Sequence, residues 1–241
     1  MRNYTVDIGN TRFKTAVFEG EELLEEKSFE SSEDWIAYSR SLSFEQCIIS
    51  SVTYQEAELR DLLGFDFCYL SKELKMPFTN LYATPHTLGV DRKAAMVGAR
   101  ALFREGPLLA VDLGSCITFD LLDNDNVYRG GSISPGMRMR FRAMHGLTAR
   151  LPLENLEIGE VPSLIGNSTS LGLKSGVYHG ILFEIEGYIR AYQRQYQDLK
   201  VIICGGDSKI FESLTKDHIF VIPNLVLYGL NRILIYNVNF E

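Results

Sequence analysis

The sequence predicts an α/β fold made of two similar lobes, and three observations support this prediction. The segment YTVDIGNTRFK near the start resembles LLAVDLGSCITF in mid-chain, with Asp7 aligned to Asp112 and Gly9 to Gly114. In each copy an apolar strand, an Asp-x-Gly turn, a second strand and an acidic turn follow one another. Helix-forming segments follow each group of strands, as in α/β folds. The alternative is two unrelated hairpins that share a common turn type.

The expected elements follow from apolar patterning and from helix caps. In the first half, helices are expected over 33–42, 55–63 and 92–104, with strands over 47–52 and 66–71. In the second half, helices are expected over 137–149, 169–196, 208–214 and 225–236, with a strand over 201–206. The repeat predicts lobes over 1–106 and 107–241. Ligands of such folds bind beyond the strand ends, so we expect a binding cleft between the lobes.

The composition, 46% hydrophobic and 23% charged residues, is that of an ordinary globular protein. A net charge of −7 repels a phosphate backbone, so we expect no nucleic-acid partner. The four cysteines, Cys47, Cys68, Cys116 and Cys204, lie far apart and predict reduced thiols rather than disulfides or a zinc site. The sequence becomes polar within its first ten residues and lacks the apolar core of a signal peptide there. No apolar run is long enough to span a bilayer. We therefore expect a cytoplasmic protein with no membrane partner.

The two Asp-x-Gly turns have the residue types of a phosphate site. Glycine lets backbone N–H groups approach a phosphate closely, and a strand-end carboxylate such as Asp7 suits a magnesium ion. Lys14 adds positive charge to the first turn, while Ser115 and Thr118 add hydroxyls that suit phosphate oxygens after the second. Asp112 is a candidate cation ligand. One such turn alone is equally typical of an ordinary hairpin.

Three further patterns each have a structural and a functional interpretation. Asp91 lies where a helix N-cap is expected, and it is also placed to act as a general base; the sequence alone favours the cap. The two consecutive glycines at 205–206 indicate either a tight turn, which we favour, or a backbone that lies against a flat ligand. Gly172, Gly176 and Gly180 recur every fourth residue and indicate close packing, either within the chain or against a partner subunit.

Taken together, the motifs resemble a known family. DIGNTRFK, YATPHTLGVDRKAA, AVDLGSCITFD, GGSISPGMRMRFRAMHGLTARLP, IGNSTSLGLKSG and CGGDS occur in the order found in type III pantothenate kinases. The resemblance runs from about Asp7 to the last helix. It implies the superfamily of sugar kinases, heat-shock ATPases and actin, with two ribonuclease-H-like lobes in a duplicated actin-like ATPase fold.

The resemblance also implies roles for individual residues. The ATP phosphates would be bound by Asp7, Ile8, Gly9, Asn10, Thr11, Arg12, Phe13 and Lys14, and ATP also by Ser115. The substrate would be bound by Tyr82, Gly89, Val90, Asp91, Arg92 and Thr169, with Asp91 as the catalytic base. Asp112 would bind a monovalent cation, potassium or ammonium. The family usually has Thr-Ala where this chain has Ser115-Cys116, and because serine keeps the hydroxyl we expect ATP binding to persist.

The reaction implied by the resemblance is transfer of the ATP γ-phosphoryl group to pantothenate, the first step of coenzyme A biosynthesis, with Mg²⁺ and K⁺ or NH₄⁺ as cofactors. The family implies a homodimer. Two alternatives stay open at this point: a kinase of the same fold that acts on another small alcohol, and a non-catalytic accessory relative.

Overall fold

The computed structural model of the protein describes residues 1–215 and 218–238. The strands are β1 (Arg2–Ile8), β2 (Phe13–Glu19), β3 (Glu22–Phe29), β4 (Gln46–Ser51), β5 (Cys68–Tyr69), β6 (Thr79–Asn80), β7 (Leu108–Leu113), β8 (Cys116–Leu122), β9 (Val127–Pro135), β10 (Lys200–Cys204) and β11 (Ile219–Val221). The helices are α1 (Ser32–Ser41), α2 (Glu56–Leu63), α3 (Val90–Leu102), α4 (Met137–Gly146), α5 (Thr169–Gln193) and α6 (Leu225–Val238). Short 3-10 helices span Pro85–Thr87 and Ser208–Leu214.

The chain divides into two compact units. The first comprises Met1–Arg104 and the described part of the segment that begins at Asn224, and the second comprises Glu105–Pro223. The division after residue 104 lies close to the expected boundary at 106. The last helix differs from the expectation, because its contacts place α6 with the first unit rather than the second.

The first unit contains a sheet with the strand order β3-β2-β1-β4-β5. Its first three strands are antiparallel neighbours, whereas β4 runs parallel to β1 and β5 parallel to β4. In the second unit the corresponding strands are ordered β9-β8-β7-β10-β11, again with an antiparallel meander followed by parallel strands. The two units therefore share one topology, as the sequence repeat predicts.

Strand β1 divides its side chains between the two faces of its sheet. Tyr4, Val6 and Ile8 are fully buried in a core that includes Trp35 of α1 and Leu59 of α2. The alternate residues of the strand therefore point to the opposite face. There the amide of Asn3 donates a 2.7 Å hydrogen bond to Asn231 of α6. Asp7 belongs to this second set, so its carboxylate lies on the same sheet face as α6.

Two glycines let α3 and α6 cross at close range. A Cβ atom on Gly98 of α3 would lie 2.3 Å from the carbonyl oxygen of Leu225, and one on Gly229 would lie 1.8 Å from that of Ala94. Real Cβ atoms do not approach backbone oxygens this closely, so both positions require glycine. This crossing explains why the last helix belongs to the first unit, a relation that sequence patterning did not reveal.

The core of the second unit packs β7, β8 and β10 against α5. Phe119 stacks on Tyr188 with ring centroids 4.1 Å apart, and Ile181 and Ile185 are fully buried. Of the three glycines expected to pack closely, Gly172 and Gly176 have no described atom within 4 Å of a Cβ, whereas a Cβ on Gly180 would lie 3.6 Å from Nη1 of Arg140. Packing of this helix face against a partner subunit stays a prediction.

Several expected bounds shift. The strand expected over 66–71 is reduced to Cys68–Tyr69, and the segment 208–214 is 3-10 rather than α-helical. Helix α3 begins at Val90, two residues before the expected start. Among the residues that the structure describes, no helix combines the length and apolar character needed to cross a bilayer.

Candidate functional site

The turn between β1 and β2 presents the first Asp-x-Gly motif. The N–H of Gly9 donates a 3.1 Å hydrogen bond to the carbonyl of Arg12, which closes the turn. Asn10, Thr11 and Arg12 are exposed at its tip. The Arg12 guanidinium lies 2.9 Å from the carboxylate of Glu30. The turn therefore offers backbone and polar groups to a ligand.

Two residues assigned to this motif serve the core. Ile8 is fully buried, and the ring of Phe13 stacks on Trp35 with centroids 4.9 Å apart. Their side chains fix the two strand ends on either side of the turn, so only their backbone groups are left to contact a ligand.

Asp7 lies between two polar strand partners near the end of β1. Lys14 is its register partner on β2, and Ser50 is its partner on β4. Burial raises the pKa of Asp7 to about 6, Lys14 opposes this rise, Asp91 adds to it and Ser50 opposes it. The charge of Asp91 therefore acts on the Asp7 carboxyl, an interaction that the sequence did not establish.

Asp91 is not the N-cap of its helix, contrary to the interpretation that the sequence favoured. Gly89 is the N-cap of α3, and the N–H of Lys93 bonds to the Gly89 carbonyl at 3.3 Å. Asp91 instead occupies the first turn, where it complements the helix dipole. One of its oxygens, Oδ1, accepts a 2.9 Å hydrogen bond from the N–H of Arg92, and the carboxylate stays exposed.

Gly89 leaves the space that this carboxylate occupies. A Cβ atom at Gly89 would lie 2.3 Å from Oδ1 of Asp91, so any larger residue would push the carboxylate away. The half-buried Val90 follows as the first helical residue. The glycine of the motif therefore sets the position of the aspartate two residues later.

Tyr82 and Arg92 form a pair beside this turn. The Arg92 guanidinium carbon lies 5.9 Å from the centroid of the Tyr82 ring, within the range of a cation–π contact. Arg92 is only 8% exposed, and the N–H of Tyr82 bonds to Asn80 at 2.9 Å. The structure therefore brings together Tyr82, Gly89, Asp91 and Arg92, although Tyr82 precedes the helix by eight residues.

In the second unit, Asp112 lies between two glycine turns. A Cβ on Gly205 would lie 2.3 Å from Oδ1 of Asp112, and one on Gly114 would lie 3.4 Å from the same oxygen. Gly205 has a φ of +91°, which confirms the tight turn favoured from the sequence. After this turn, the N–H of Asp207 donates a 3.0 Å bond to the carbonyl of Leu113.

Ser115 is exposed at the tip of the second Asp-x-Gly turn. Gly136 packs directly beneath it, since a Cβ there would lie 2.6 Å from the Ser115 carbonyl oxygen. Cys116 is half-buried as the first residue of β8. Ser115 is thus exposed to solvent, while its backbone packs against Gly136.

Thr118 has a different partner from the phosphate expected for it. Its hydroxyl donates a 3.0 Å hydrogen bond to the buried carboxylate of Asp120, and Tyr128 donates a 2.6 Å bond to the other oxygen of that carboxylate. The Thr118 proton is therefore committed within the chain. Thr118 is also the strand partner of Asp112, so its oxygen faces the same side of the sheet.

Thr169 is the first residue of α5 and is exposed. The preceding Ser168 caps the helix by accepting a 3.2 Å bond from the N–H of Leu171. Gly166 packs against this first turn, because a Cβ there would lie 2.3 Å from the N–H nitrogen of Gly172. The motif IGNSTS is therefore a capped helix start with an exposed threonine.

The carboxylates of both units fit hard cations only with help from other oxygens. Within residues 1–215 and 218–238, no three His, Cys, Asp or Glu side chains converge on a possible metal position. Magnesium typically binds through one or two carboxylates with retained waters and substrate phosphates, so Asp7 fits such an ion. Asp112, beside two glycine turns and the Thr118 hydroxyl, fits a cation that takes oxygen ligands.

Sequence reasoning missed the roles of Ser50 and Asp120, and it noted Gly136 only as part of a turn-rich loop. Ser50 follows the apolar residues 47–49 of β4 and is itself polar, which is a detectable signal. Gly136 acts through a tertiary contact with Ser115, whereas Asp120 acts on Thr118 two residues away on β8, and no sequence pattern marks either contact.

Comparison with known proteins identifies the family. Residues 4–191 match the family model for type III pantothenate kinases. The chain belongs to this family. The relative from Cytophaga hutchinsonii, named type III pantothenate kinase, is 42% identical over 98% of this chain and 100% of its own length. The resemblance found in the motifs is thereby confirmed over the whole chain.

Solved structures agree on the fold of this type III pantothenate kinase family member. A conserved protein from Campylobacter jejuni, assigned to the Baf family of transcriptional activators, has a TM-score of 0.61 at 21% identity and covers 98% of this chain and 99% of its own. The activator of 2-hydroxyisocaproyl-CoA dehydratase from Clostridium difficile, solved with bound ADPNP, has a TM-score of 0.52 at 11% identity, covering 99% and 95%. Both confirm the duplicated α/β architecture.

Proposed function

We propose that this protein transfers the γ-phosphoryl group of ATP to the primary hydroxyl of pantothenate, giving 4'-phosphopantothenate in the first step of coenzyme A biosynthesis. The observation that carries the proposal is the cluster formed by Tyr82, Asp91 and Arg92 near Asp7. It joins a general base, a cation and an aromatic ring beside a phosphate-type turn, in a chain of the matching family.

Asp91 acts as the general base. Its Oδ1 is held by the N–H of Arg92, which leaves Oδ2 to accept the proton of the substrate hydroxyl. Arg92 binds the pantothenate carboxylate, because a guanidinium presents donors that match a carboxylate. Tyr82 holds the Arg92 guanidinium and contacts the substrate, while the backbone of Gly89 and Val90 lines the approach to Asp91.

The turn after β1 binds the ATP phosphates. Backbone N–H groups of residues 9–12 and the ammonium of Lys14 neutralise and orient them. In the second unit, the Ser115 hydroxyl donates to ATP, and Thr169 at the start of α5 contacts the substrate. Positioning and charge stabilisation supply most of the rate in such transfers.

Two cations complete the proposal. Asp7 would hold Mg²⁺, which neutralises phosphate charge when it is bound, and Asp112 would hold K⁺ or NH₄⁺. Gly114 and Gly205 leave room for the Asp112 carboxylate, because a Cβ on either residue would lie within 3.4 Å of its Oδ1. Activity is therefore expected with potassium or ammonium and not with sodium alone.

We further propose a cytoplasmic homodimer. Exposed apolar side chains concentrate in the second unit between residues 147 and 183, where Leu147 is 86% and Ile165 is 84% exposed. The open glycine positions Gly172 and Gly176 of α5 fall in the same stretch. A surface of this kind is typical of a subunit interface. Light scattering is expected to give twice the chain mass of 27.3 kDa, and a value equal to one chain would contradict the proposal.

The test is ATP turnover by the purified protein with and without pantothenate, in potassium and in sodium. Asp91→Asn is expected to lower kcat by ~100-fold or more, the loss typical of a removed general base, while loss of the charge from the first turn of α3 lowers the free energy of unfolding by at most about 1 kcal/mol. Asp61→Asn, which changes an exposed aspartate of α2, is the matched control and is expected to keep full activity. A panel of other small alcohols separates pantothenate from the remaining kinase alternative, and absence of turnover with every substrate and cation would support a non-catalytic relative.

A further inference from the structure

Ser50 combines complete burial with an unused hydroxyl. The residue is 0% exposed, and its Oγ meets no hydrogen-bond partner within the part of the chain that the structure describes. Buried hydroxyls in proteins are almost always paired, so an exception indicates a partner that joins in another state of the molecule. The proposed reaction assigns no role to Ser50, although it is the strand partner of Asp7 on β4.

The register of β1 and β4 shows what the hydroxyl faces. Ser50 is paired with Asp7 in this parallel pair, and paired residues of neighbouring strands point to the same face. Both residues lie near the carboxyl ends of their strands, beside the turn that begins at Gly9. The hydroxyl also counteracts the effect of burial on the Asp7 carboxyl, as expected of a donor close to it. No hydrogen bond of the Ser50 Oγ is formed within the described residues.

Neighbouring serines show that this arrangement is not a general feature of the sheet. Ser51 accepts hydrogen bonds from the N–H groups of Thr53 and Tyr54, at 3.2 and 2.8 Å, and so shapes the following turn. Ser39, buried against the opposite face, bonds to the Tyr4 hydroxyl at 2.8 Å. These two serines have structural partners, whereas the Ser50 hydroxyl is directed at Asp7.

We propose that Ser50 is a positioning residue for phosphoryl transfer, whose hydroxyl donates a hydrogen bond to the Asp7 carboxylate when ATP and its cation are bound. The proposal rests on the proposed function, because it assigns Asp7 to the phosphate side of that reaction. A hydroxyl that donates to an ionised carboxylate fixes its rotation and leaves the remaining lone pairs for the cation. Lys14 is the register partner of Asp7 on β2, and its charge favours the ionised carboxylate.

The test compares three variants at Ser50 with one control. Ser50→Ala removes the hydroxyl, Ser50→Cys replaces it by a weak donor of similar size, and Ser50→Thr keeps it. Ser39→Ala is the matched control, because it also removes a buried hydroxyl but from the opposite face. Each protein is assayed for kcat and KM with pantothenate and, separately, for ATP binding by calorimetry across a magnesium titration.

Loss of the donor is expected to lower kcat and to weaken magnesium-dependent ATP binding by ~10–100-fold, the usual effect of removing a group that orients a ligating side chain. The KM for pantothenate is expected to change little, and Ser50→Thr should restore binding to near that of the unaltered chain. Ser39→Ala is expected to lower the melting temperature without moving either readout.

The outcomes distinguish this inference from the proposed function. If the unaltered protein binds ATP with magnesium but does not phosphorylate pantothenate, the proposed function fails while the binding titration still decides the role of Ser50. The inference would be overturned if Ser50→Ala bound ATP with the same dependence on magnesium as the unaltered chain. If the alanine variant does not fold, the same result in Ser50→Cys would overturn it.

Discussion

Replacing Asp7 with asparagine is expected to stabilise the unliganded protein at neutral pH while it removes the activity. Burial, with a smaller contribution from Asp91, raises the pKa of the Asp7 carboxyl from 3.8 to about 6. The folded protein therefore binds this proton more tightly than the unfolded chain does. The ionised carboxylate costs stability above pH 6, and this cost fades as the pH falls through 6 toward 3.8.

The size of the effect follows from the two pKa values. At about 1.4 kcal/mol for each pKa unit, the cost is at most about 3 kcal/mol above pH 7 and below about 1 kcal/mol near pH 4. Asparagine carries no charge, so Asp7→Asn should raise the free energy of unfolding by the same amount as this cost. The gain should therefore be largest above pH 7 and small near pH 4. Active sites commonly trade stability for function in this way.

The assay is urea unfolding in a chelating buffer at about pH 8 and about pH 4, since a bound cation would itself stabilise the carboxylate. Asp61→Asn, on the exposed face of α2, is the control and should leave the unfolding curve unchanged at both values. A destabilised Asp7→Asn at pH 8, or a gain of equal size at both pH values, would refute the assignment of a desolvated carboxylate between Lys14 and Ser50.

Glycine substitutions test the close contacts of both units. Gly205→Ala would place a methyl group 2.3 Å from Asp112, on a residue whose φ is +91°. It is expected to lower the free energy of unfolding in urea by several kcal/mol. Gly206→Ala has open space around its methyl group and should leave that free energy nearly unchanged. Gly229→Ala should separate α6 from α3 and lower the melting temperature sharply, whereas Gly187→Ala in α5 should stabilise its helix by up to about 1 kcal/mol. Equal effects within either pair would contradict the packing described.

The sequence predicted the fold because the pattern that indicates it is formed by neighbouring residues and occurs twice in the chain. The two Asp-x-Gly segments differ in most residues, yet each has the pattern strand, turn, strand, acidic turn, and both form the same meander. The placement of α6 was not predictable, because it depends on a contact between Gly98 and Gly229, which lie 131 positions apart in the sequence. A glycine in a helical pattern indicates close packing but not its partner.

The candidate site was predictable as a set of residues and not as a geometry. The motif around Gly89 identified Asp91 and Arg92 but assigned the helix cap to the wrong residue, because aspartate and glycine are both common caps. Thr118 was expected to meet phosphate, whereas its proton goes to Asp120, a carboxylate two residues further along the same strand. The hydrogen-bond partner of a hydroxyl depends on its rotamer and its burial, and neither can be predicted from a single sequence.

The duplicated topology makes the two strand-end aspartates comparable. Asp7 has Lys14 on one neighbouring strand and Ser50 on the other. Asp112 occupies the corresponding place between Thr118 and Cys204. One copy thus supplies its own ammonium group, while the strand partners of the other copy are uncharged.

This difference explains why a monovalent cation is expected beside Asp112 and not beside Asp7. An ammonium tethered at residue 118 should then replace the free ion, just as Lys14 stands opposite Asp7. Thr118→Lys is therefore expected to lose much of the stimulation by potassium and to turn over in sodium, with Thr118→Val as the control that removes the hydroxyl without adding charge. If a folded Thr118→Lys protein still requires potassium as strongly as the unaltered chain, the cation acts somewhere other than Asp112.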